Sequence, residues 1–205
     1  MHAAPNLEPP SILQIHREAP KSGREGEYGA IEDETARVCA ALGCPHSYLA
    51  IESLTGAKEV WFFNGFASPI EQQQVTEAYA RNEPLLRALT QNSARKSGLT
   101  SPSVNVFARY RADLTIGRPW ALGDGRFLVI TVSRNRGAGE GTVFEAEDGT
   151  YFIVRPARTR TEADAAAASA GVASNVFAVR PSWSMPAREW IAADESLWRG
   201  GTHNE

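Results

Sequence analysis

Cysteine is scarce in this sequence, which has only Cys39 and Cys44 among its 205 residues. Their spacing fits neither a CxxC redox motif nor the paired ligands of a zinc site. A disulfide-stapled scaffold and a zinc-binding fold are therefore excluded, and ordinary hydrophobic packing must hold the chain together. We expect both cysteines to be free thiols in a cytoplasmic protein.

Long apolar runs are also missing. No segment approaches the roughly 18 apolar residues that a membrane-spanning helix requires. The N-terminal sequence M-H-A-A-P-N-L-E-P-P has neither the basic start nor the apolar centre of a secretory signal. We therefore expect neither secretion nor a membrane partner.

An excess of positive charge is absent as well, because 21 Lys and Arg face 24 Asp and Glu, for a net charge of −3. The scattered acidic residues argue against the basic surface that nucleic-acid-binding proteins use. The motifs G-x-S-x-G and H-E-x-x-H and a complete dinucleotide fingerprint are missing too. We therefore expect no nucleic-acid partner, no metal and no cofactor.

What the chain does have is an aromatic run, K-E-V-W-F-F-N-G-F, at Lys58–Phe66. Alternate residues of a strand point to opposite faces, so Val60 and Phe62 would lie on one face, and Trp61 and Phe63 on the other. Both faces are apolar, and each needs a cover. Helices can cover one face, and the other must be covered by a second sheet, by the rest of the chain or by a second copy of the protein.

The first half of the chain predicts a strand, helix, strand, strand, helix, strand order. Capping boxes at Ser22 and Ser68 predict the two helix starts, Gly43 ends the first helix, and Pro84 breaks the second. This order predicts a ferredoxin-like module over residues 11–111, with both helices on one face of a four-stranded antiparallel sheet. The predicted strands are Ser11–Arg17, Ser47–Ser53, Lys58–Phe66 and Ser103–Arg111.

After a glycine- and proline-rich linker at 112–125, residues 126–198 again combine helices with antiparallel strands. We interpret 126–198 as a second, degenerate module, and residues 1–10 and 199–205 as a flexible lead-in and a tail. The predicted fold is α+β, with tandem ferredoxin-like modules whose antiparallel sheets pack face to face. The predicted elements are strands at Phe127–Ser133, Thr142–Ala146, Tyr151–Arg155 and Asn175–Arg180, a mobile loop at Arg134–Gly141, and helices at Thr159–Ala170 and from Ser184 to Trp198.

Two stretches of residues 11–111 resemble the dimeric α/β-barrel superfamily, which includes antibiotic-biosynthesis-type monooxygenases and NIPSNAP-like proteins. They are I-L-Q-I-H-R followed by K-S-G-R-E-G-E-Y, and the strand E-V-W-F-F-N-G-F-A-S that leads into a capped helix. The resemblance implies a small-molecule pocket between the sheet and its helices. Haem ligation in the style of the haem-degrading branch needs a histidine on the second long helix, and Glu71–Arg81 contains none.

Residues on the predicted strands supply the candidate site. His16 is the candidate for proton transfer, because its ring can titrate near neutral pH. Asn64 and Arg109 are the candidate donors to a developing oxyanion. The competing interpretation is that these polar groups only pair with one another, since buried polar groups need partners. The predicted ligand-lining residues are Gln14, Tyr48, Glu52, Trp61, Phe62 and Phe63.

The favoured function is that of a small-molecule-binding barrel protein, with or without catalytic activity. The alternative is a cofactor-independent monooxygenase or isomerase that acts on a small aromatic or carbonyl compound. RNA binding ranks third, because Lys58–Phe66 lacks the aromatic motif that RNA-recognition modules carry in that strand. We also expect a homodimer formed through apolar edges that the fold leaves over.

Overall fold

The structure, a computed structural model, describes residues 8–136 and 139–199. Residues 1–7 of the predicted lead-in, 137–138 of the predicted loop and 200–205 of the predicted tail lie outside the described residues. The strands are β1 (Ile12–Glu18), β2 (Tyr48–Ser53), β3 (Val60–Phe66), β4 (Val104–Tyr110), β5 (Phe127–Ser133), β6 (Thr142–Ala146), β7 (Tyr151–Ala157) and β8 (Ser174–Val179). The helices are α1 (Glu25–Leu42), α2 (Pro69–Arg81), α3 (Glu83–Lys96), α4 (Arg160–Ser169), α5 (Arg188–Ala193) and α6 (Glu195–Arg199), with a 3₁₀ turn at Pro181–Trp183.

The strands close into one antiparallel barrel in the order β1-β3-β2-β8-β5-β7-β6-β4. Each half of the chain contributes four neighbouring strands, and the ladders β4–β6 and β2–β8 join the halves. The predicted α+β class is therefore confirmed. Barrel closure also removes most free sheet edges, which would otherwise invite pairing with other chains.

The aromatic strand β3 lies between β1 and β2 and is buried on both faces, as its sequence predicts. Trp61 and Phe63 point into the barrel, where the Trp61 ring lies 4.9 Å from that of Phe177 and the Phe63 ring 5.8 Å from that of Trp120. Phe62 points outward and packs beneath the helices. The barrel interior is thus an aromatic core contributed by both halves of the chain.

Helices α1 and α3 pack with outward-facing residues of β2 and β3 in one apolar cluster, and α4 packs on β5, β7 and β8. Ser68 caps α2, and Gly43 ends α1 with a φ of 70°, as predicted. The structure adds a cap at Asn82, whose side chain accepts a hydrogen bond at the start of α3. The capping box predicted at Ser22 is wrong, because α1 begins at Glu25 without a side-chain cap. Gly23, with a φ of 80°, turns the chain before the helix can begin.

One end of the barrel is closed by residues that the sequence assigned to a linker. Trp120 and Leu122, within 112–125, are buried in the barrel core. The indole N–H of Trp120 donates to the Asp124 carbonyl at 3.0 Å. Trp190 and its neighbours in α5 and α6 pack over the same core, so this end is filled by side chains.

Two further expectations are wrong. Cys39 and Cys44 form a disulfide across the C-terminal turn of α1, so they are not free thiols. The predicted helix from Ser184 to Trp198 is two short helices, α5 and α6, preceded by the 3₁₀ turn at Pro181–Trp183. Among the described helices, none combines the length and apolarity needed to cross a membrane.

Candidate functional site: the open mouth of the barrel

The end of the barrel opposite Trp120 is open. Val104 of β4 and Val132 of β5 have the strand parity of interior residues, yet they are 51% and 44% exposed. The opening exists because β4 pairs with β6 only over Ala108–Tyr110. Beyond that point β6 turns away into β7 through a tight hairpin at 147–150.

A groove of about 1220 Å³ occupies this opening, which we call the open mouth. Its walls come from both faces of β4 and from the end of β5, the β6–β7 hairpin and the start of α2. Ala108 and Phe152 belong to the apolar floor, and Phe107, 41% exposed, lies on the wall. The mouth of a β-barrel is a common place for a small-molecule site.

A stacked arginine lies at the base of the open mouth. The guanidinium carbon of Arg17 is 4.5 Å from the centre of the Trp61 ring, within cation–π range. Arg17 Nη2 donates to both carboxylate oxygens of Glu59 at 2.8 Å, and the indole N–H of Trp61 donates to Glu59 at 2.7 Å. These three side chains hold one another in place, so the base of the mouth is rigid and polar.

The rim of the open mouth carries more arginines, and most of their charge is neutralised. Arg111 pairs with Asp113 at 2.7 Å, and Arg134 pairs with Asp148 at 2.8 Å. Arg109 is exposed and has no carboxylate partner within 4.0 Å among the described residues. It is therefore the groove arginine best placed to donate hydrogen bonds to an external anion or carbonyl oxygen.

His16 lies behind the open mouth, on the outer face of β1. Its Nδ1 is 3.1 Å from Asn105 Oδ1, and its Nε2 is 3.1 Å from Glu18 Oε1. Asn105 lines the mouth and also accepts a hydrogen bond from Gln14 at 3.4 Å. The Asn105 amide thus separates His16 from the groove.

Behind His16 lies a buried ionic cluster, which we define as Glu18, Tyr28, Glu32 and Lys96. Lys96 Nζ lies 3.0 Å from Glu18 Oε2 and 2.6 Å from Glu32 Oε1, and the Tyr28 hydroxyl donates to Glu18 at 2.6 Å. The cluster joins β1 to α1 and α3. His16 contacts this cluster and is more exposed than any of its four members, with 27% of its side chain accessible to solvent.

The two carboxylates of the ionic cluster differ in proton affinity. Burial opposes ionisation of Glu18, but hydrogen bonds from His16 and Tyr28 and the charge of Lys96 lower its pKa to about 2. Burial raises the pKa of Glu32 despite the charge of Lys96. Burial would lower the pKa of Lys96, yet the two carboxylates raise it. The cluster therefore favours the charged forms of Lys96 and Glu18, whereas burial disfavours the charged form of Glu32.

The structure divides the predicted site residues between two faces of the sheet. Gln14 pairs with Asn64 across β1 and β3, and His16 pairs with Phe62, so all four share the outer face. Arg109 lies on the same face of β4. Tyr48 is buried on that face beneath the helices, and Glu52 lies near the barrel seam, 3.3 Å from Arg180.

Trp61 and Phe63 lie on the other face, inside the barrel. They therefore cannot line one pocket together with His16. Only Arg109 of the predicted residues is part of the groove lining itself, while Trp61 lies beneath Arg17 at its base. The chemical roles assigned to these residues stay predictions.

Sequence reasoning missed Arg17 and the buried members of the ionic cluster. Arg17 shares strand parity with Leu13 and Ile15, which was a readable sign that it enters the barrel. Lys96 is one of only three lysines, and it follows the last apolar positions of its helix. Glu32 lies four residues after Tyr28 and seven before Cys39, so helical spacing places it on the buried face of α1. Among residues 8–136 and 139–199, no group of three or more His, Cys, Asp or Glu is placed to hold a metal.

Comparison with known proteins identifies the fold but no family. No protein-family model and no curated protein matches the chain. A putative monooxygenase from Fusobacterium nucleatum subsp. nucleatum aligns with 87% of this chain and 94% of its own, with a TM-score of 0.50 and 8% identity. A putative monooxygenase from Lactobacillus acidophilus aligns with 82% of this chain and 92% of its own, with a TM-score of 0.42 and 9% identity. At such identities the first likeness shows a shared fold alone.

Proposed function

We propose that this protein binds a small molecule with an apolar body and an exposed oxygen in the open mouth of its barrel. The observation that carries the proposal is the asymmetry of the barrel ends. One end is filled by Trp120 and Leu122, while the other is left open as a groove of about 1220 Å³. The chain closes one end of the barrel with aromatic side chains and leaves the other end accessible to a ligand.

The chemistry of the groove favours this class of ligand. Phe107 and the apolar floor offer contacts to a flat or aliphatic body. Arg109 offers a planar pair of donors to a carbonyl or carboxylate oxygen, and the Asn105 amide offers a further hydrogen bond. Arg17, stacked on Trp61, places a second guanidinium at the base.

We also interpret the barrel as two ferredoxin-like modules. The first half has the strand order β2-β3-β1-β4 and the second half the equivalent order β6-β7-β5-β8. The second half has a helix, α4, after its third strand, but the described residues between its first two strands, 134–136 and 139–141, contain no helix where the first half has α1.

A retained or added ligand tests the proposal. Native mass spectrometry of the purified protein should show added mass, or benzoate and acetophenone should shift amide resonances of β4 and the β6–β7 hairpin in NMR titrations. Val132→Trp fills the mouth from an exposed position and should weaken binding tenfold or more. Val172→Trp, at a position 38% exposed outside the groove, is the matched control and should bind normally. Equal binding by both variants, or no ligand at all, would contradict the proposal.

A second candidate function, acid–base catalysis on the bound molecule, is favoured by the contact between His16 and Glu18. A carboxylate that holds one ring nitrogen orients an imidazole for proton transfer through the other. Here the other nitrogen faces Asn105, a residue of the mouth. A ligand that displaces the Asn105 amide would bring an acidic C–H next to His16, as an isomerase or a cofactor-independent oxygenase requires.

Deuterium exchange separates the two functions. An acid–base enzyme should exchange the protons next to the carbonyl of acetophenone for deuterium in D₂O. The His16→Gln variant should lose about a hundredfold or more of that rate while its affinity for the ligand is unchanged. If the wild-type protein binds acetophenone without exchanging it, the protein is a binding protein and His16 is structural.

A further inference from the structure

A second recess lies at the closed end of the barrel. It has a volume of about 350 Å³ and, within the described chain, shares no lining residue with the open mouth. Leu122 and Trp190, which are both buried, form part of its lining together with Pro10. Small-molecule sites combine such apolar surfaces with a few polar groups that fix the ligand. The recess therefore has the size and the apolar lining of a site for a small ligand.

The segment before β1 forms one wall of this recess, and it is held close to the end of β3. A Cβ atom at Gly65 would lie 2.8 Å from Pro10 Cβ and 3.3 Å from Leu122 Cδ1, so the close approach requires glycine at this position. Glu8, two residues before Pro10, also lines the recess. The contact at Gly65 therefore helps to hold the Glu8 carboxylate beside the recess.

His46 contributes a polar ring to the recess. The ring stacks on that of Phe66, with centroids 4.7 Å apart and planes inclined by 10°. Its Nε2 is buried and has no hydrogen-bond partner among residues 8–136 and 139–199, which is unfavourable for a polar atom. Burial lowers the pKa of His46, although the charge of Glu71 and the Gly65 backbone oppose this shift. The neutral imidazole that results has one lone pair to accept a hydrogen bond.

The charge that borders the recess is negative. Among the described residues, Glu8 is the only charged one in the lining. Its side chain is exposed and has no cation within 4.0 Å in the part of the chain that the structure describes. A carboxylate and an imidazole lone pair both accept hydrogen bonds, so the complementary group on a ligand is a positively charged donor.

We propose that this recess binds a small protonated amine with an apolar body. The ammonium group donates hydrogen bonds to the Glu8 carboxylate and to the His46 ring, and the apolar body lies against Leu122 and Trp190. Among aromatic rings, indole attracts a nearby cation most strongly. The proposal does not depend on a ligand in the open mouth, because the two sites select different polar groups, an oxygen there and an ammonium group here.

Titration of the full chain with 2-phenylethylamine and with 2-phenylethanol, its neutral analogue, tests the proposal. In NMR spectra the amine should shift the ring resonances of His46 and the indole N–H of Trp190. Calorimetry should show about tenfold tighter binding of the amine than of the alcohol, because only the ammonium group can pair with the carboxylate. Since benzoate binding is measured at β4 and amine binding at His46 and Trp190, the two sites are tested separately.

Two variants test the assigned contacts. Glu8→Gln keeps the size of the side chain and removes its charge, so it should lower the amine affinity about threefold, a modest loss because the carboxylate is exposed. Glu83→Gln, at an exposed position of α3 outside the recess, is the matched control and should bind as the wild type does. His46→Phe keeps a ring against Phe66 but removes the acceptor, and it should lower the amine affinity about tenfold.

Three results would overturn the proposal. In the first, 2-phenylethylamine at about 10 mM leaves the resonances of His46 and Trp190 unchanged. In the second, the amine shifts resonances of β4 instead. In the third, the Glu8→Gln variant binds the amine as tightly as Glu83→Gln does. Unchanged thermal unfolding of the variants excludes misfolding as the cause of weaker binding.

Discussion

The ionic cluster predicts different effects for the same Glu→Gln substitution at Glu18 and at Glu32. Glu18→Gln removes a carboxylate whose pKa is lowered from its ordinary 4.5 to about 2. That shift corresponds to about 3 kcal/mol of stability for the ionised form at pH 7, and the side chain is only 8% exposed, so solvent screens it little. The Gln variant should therefore unfold about 3 kcal/mol more easily.

Glu32→Gln should behave differently, although Glu32 contacts the same lysine. Burial raises the pKa of Glu32, so its ionised form is disfavoured in the folded protein. A neutral amide of the same shape does not carry the cost of ionising this buried carboxyl group. We expect this variant to lie within about 1 kcal/mol of the wild type at pH 7, or to be more stable.

The pH dependence adds a second test. Glu18 has a lowered pKa, so its contribution is present above its unfolded pKa of 4.5 and is lost as the pH falls towards about 2. Glu32 has a raised pKa, so its contribution is present below 4.5 and is lost as the pH rises through its folded pKa. The Glu18→Gln deficit should therefore shrink in acid. The stability of the Glu32→Gln variant relative to the wild type should increase as the pH rises.

Urea unfolding followed by circular dichroism, at pH 7 and at pH values between 5 and 3, measures these differences. Lys96→Met is a further test, because it should destabilise the protein at pH 7 by leaving the buried Glu18 carboxylate without its cation. The reasoning is refuted if Glu32→Gln costs as much as Glu18→Gln at pH 7. It is also refuted if the Glu18→Gln deficit does not change with pH.

Three further predictions concern the closed end of the barrel and the disulfide. Trp120→Ala should cost about 3–5 kcal/mol in urea unfolding, because it empties the closed end of the core, and a loss under 1 kcal/mol would show that 112–125 is only a linker. Gly123→Ala should also destabilise strongly, since a Cβ there would lie 2.2 Å from Trp190 Cγ at a φ of 82°, whereas Gly98→Ala, with open space around it, should not. Blocking thiols with iodoacetamide under non-reducing conditions should leave Cys39 and Cys44 unlabelled, and labelling without reductant would contradict the disulfide.

Local sequence patterns predicted the elements of this fold well. The alternation in Lys58–Phe66 assigns every β3 side chain to the face on which it lies, and β5 and β6 have the predicted bounds. Such features depend on residues close in sequence, where strand parity and capping chemistry act. The alternation of β1 also predicts that Arg17 points into the barrel, because Arg17 has the same parity as Leu13 and Ile15.

Long-range features were not predictable in the same way. The three-residue β4–β6 ladder depends on where the chain turns after Ala146, and that turn decides whether the mouth is open. Trp120 lies in a stretch rich in glycine and proline, where composition indicates a connector. Trp120 is buried because the two halves of the chain together form a barrel whose end it fills. The ionic cluster likewise combines three elements far apart in sequence, and no local pattern brings Glu32 to Lys96.

The two ends of the barrel follow from how the chain connects its strands. At the closed end, 112–125 must cross from β4 to β5, so a long segment is available to lay Trp120 over the core. At the open end, the β6–β7 connection is a tight hairpin at 147–150, too short to cover the opening. The groove and the short β4–β6 ladder therefore have the same cause, the tight connection between β6 and β7. Lengthening that hairpin should cover the opening, so ligand binding in the open mouth should be lost.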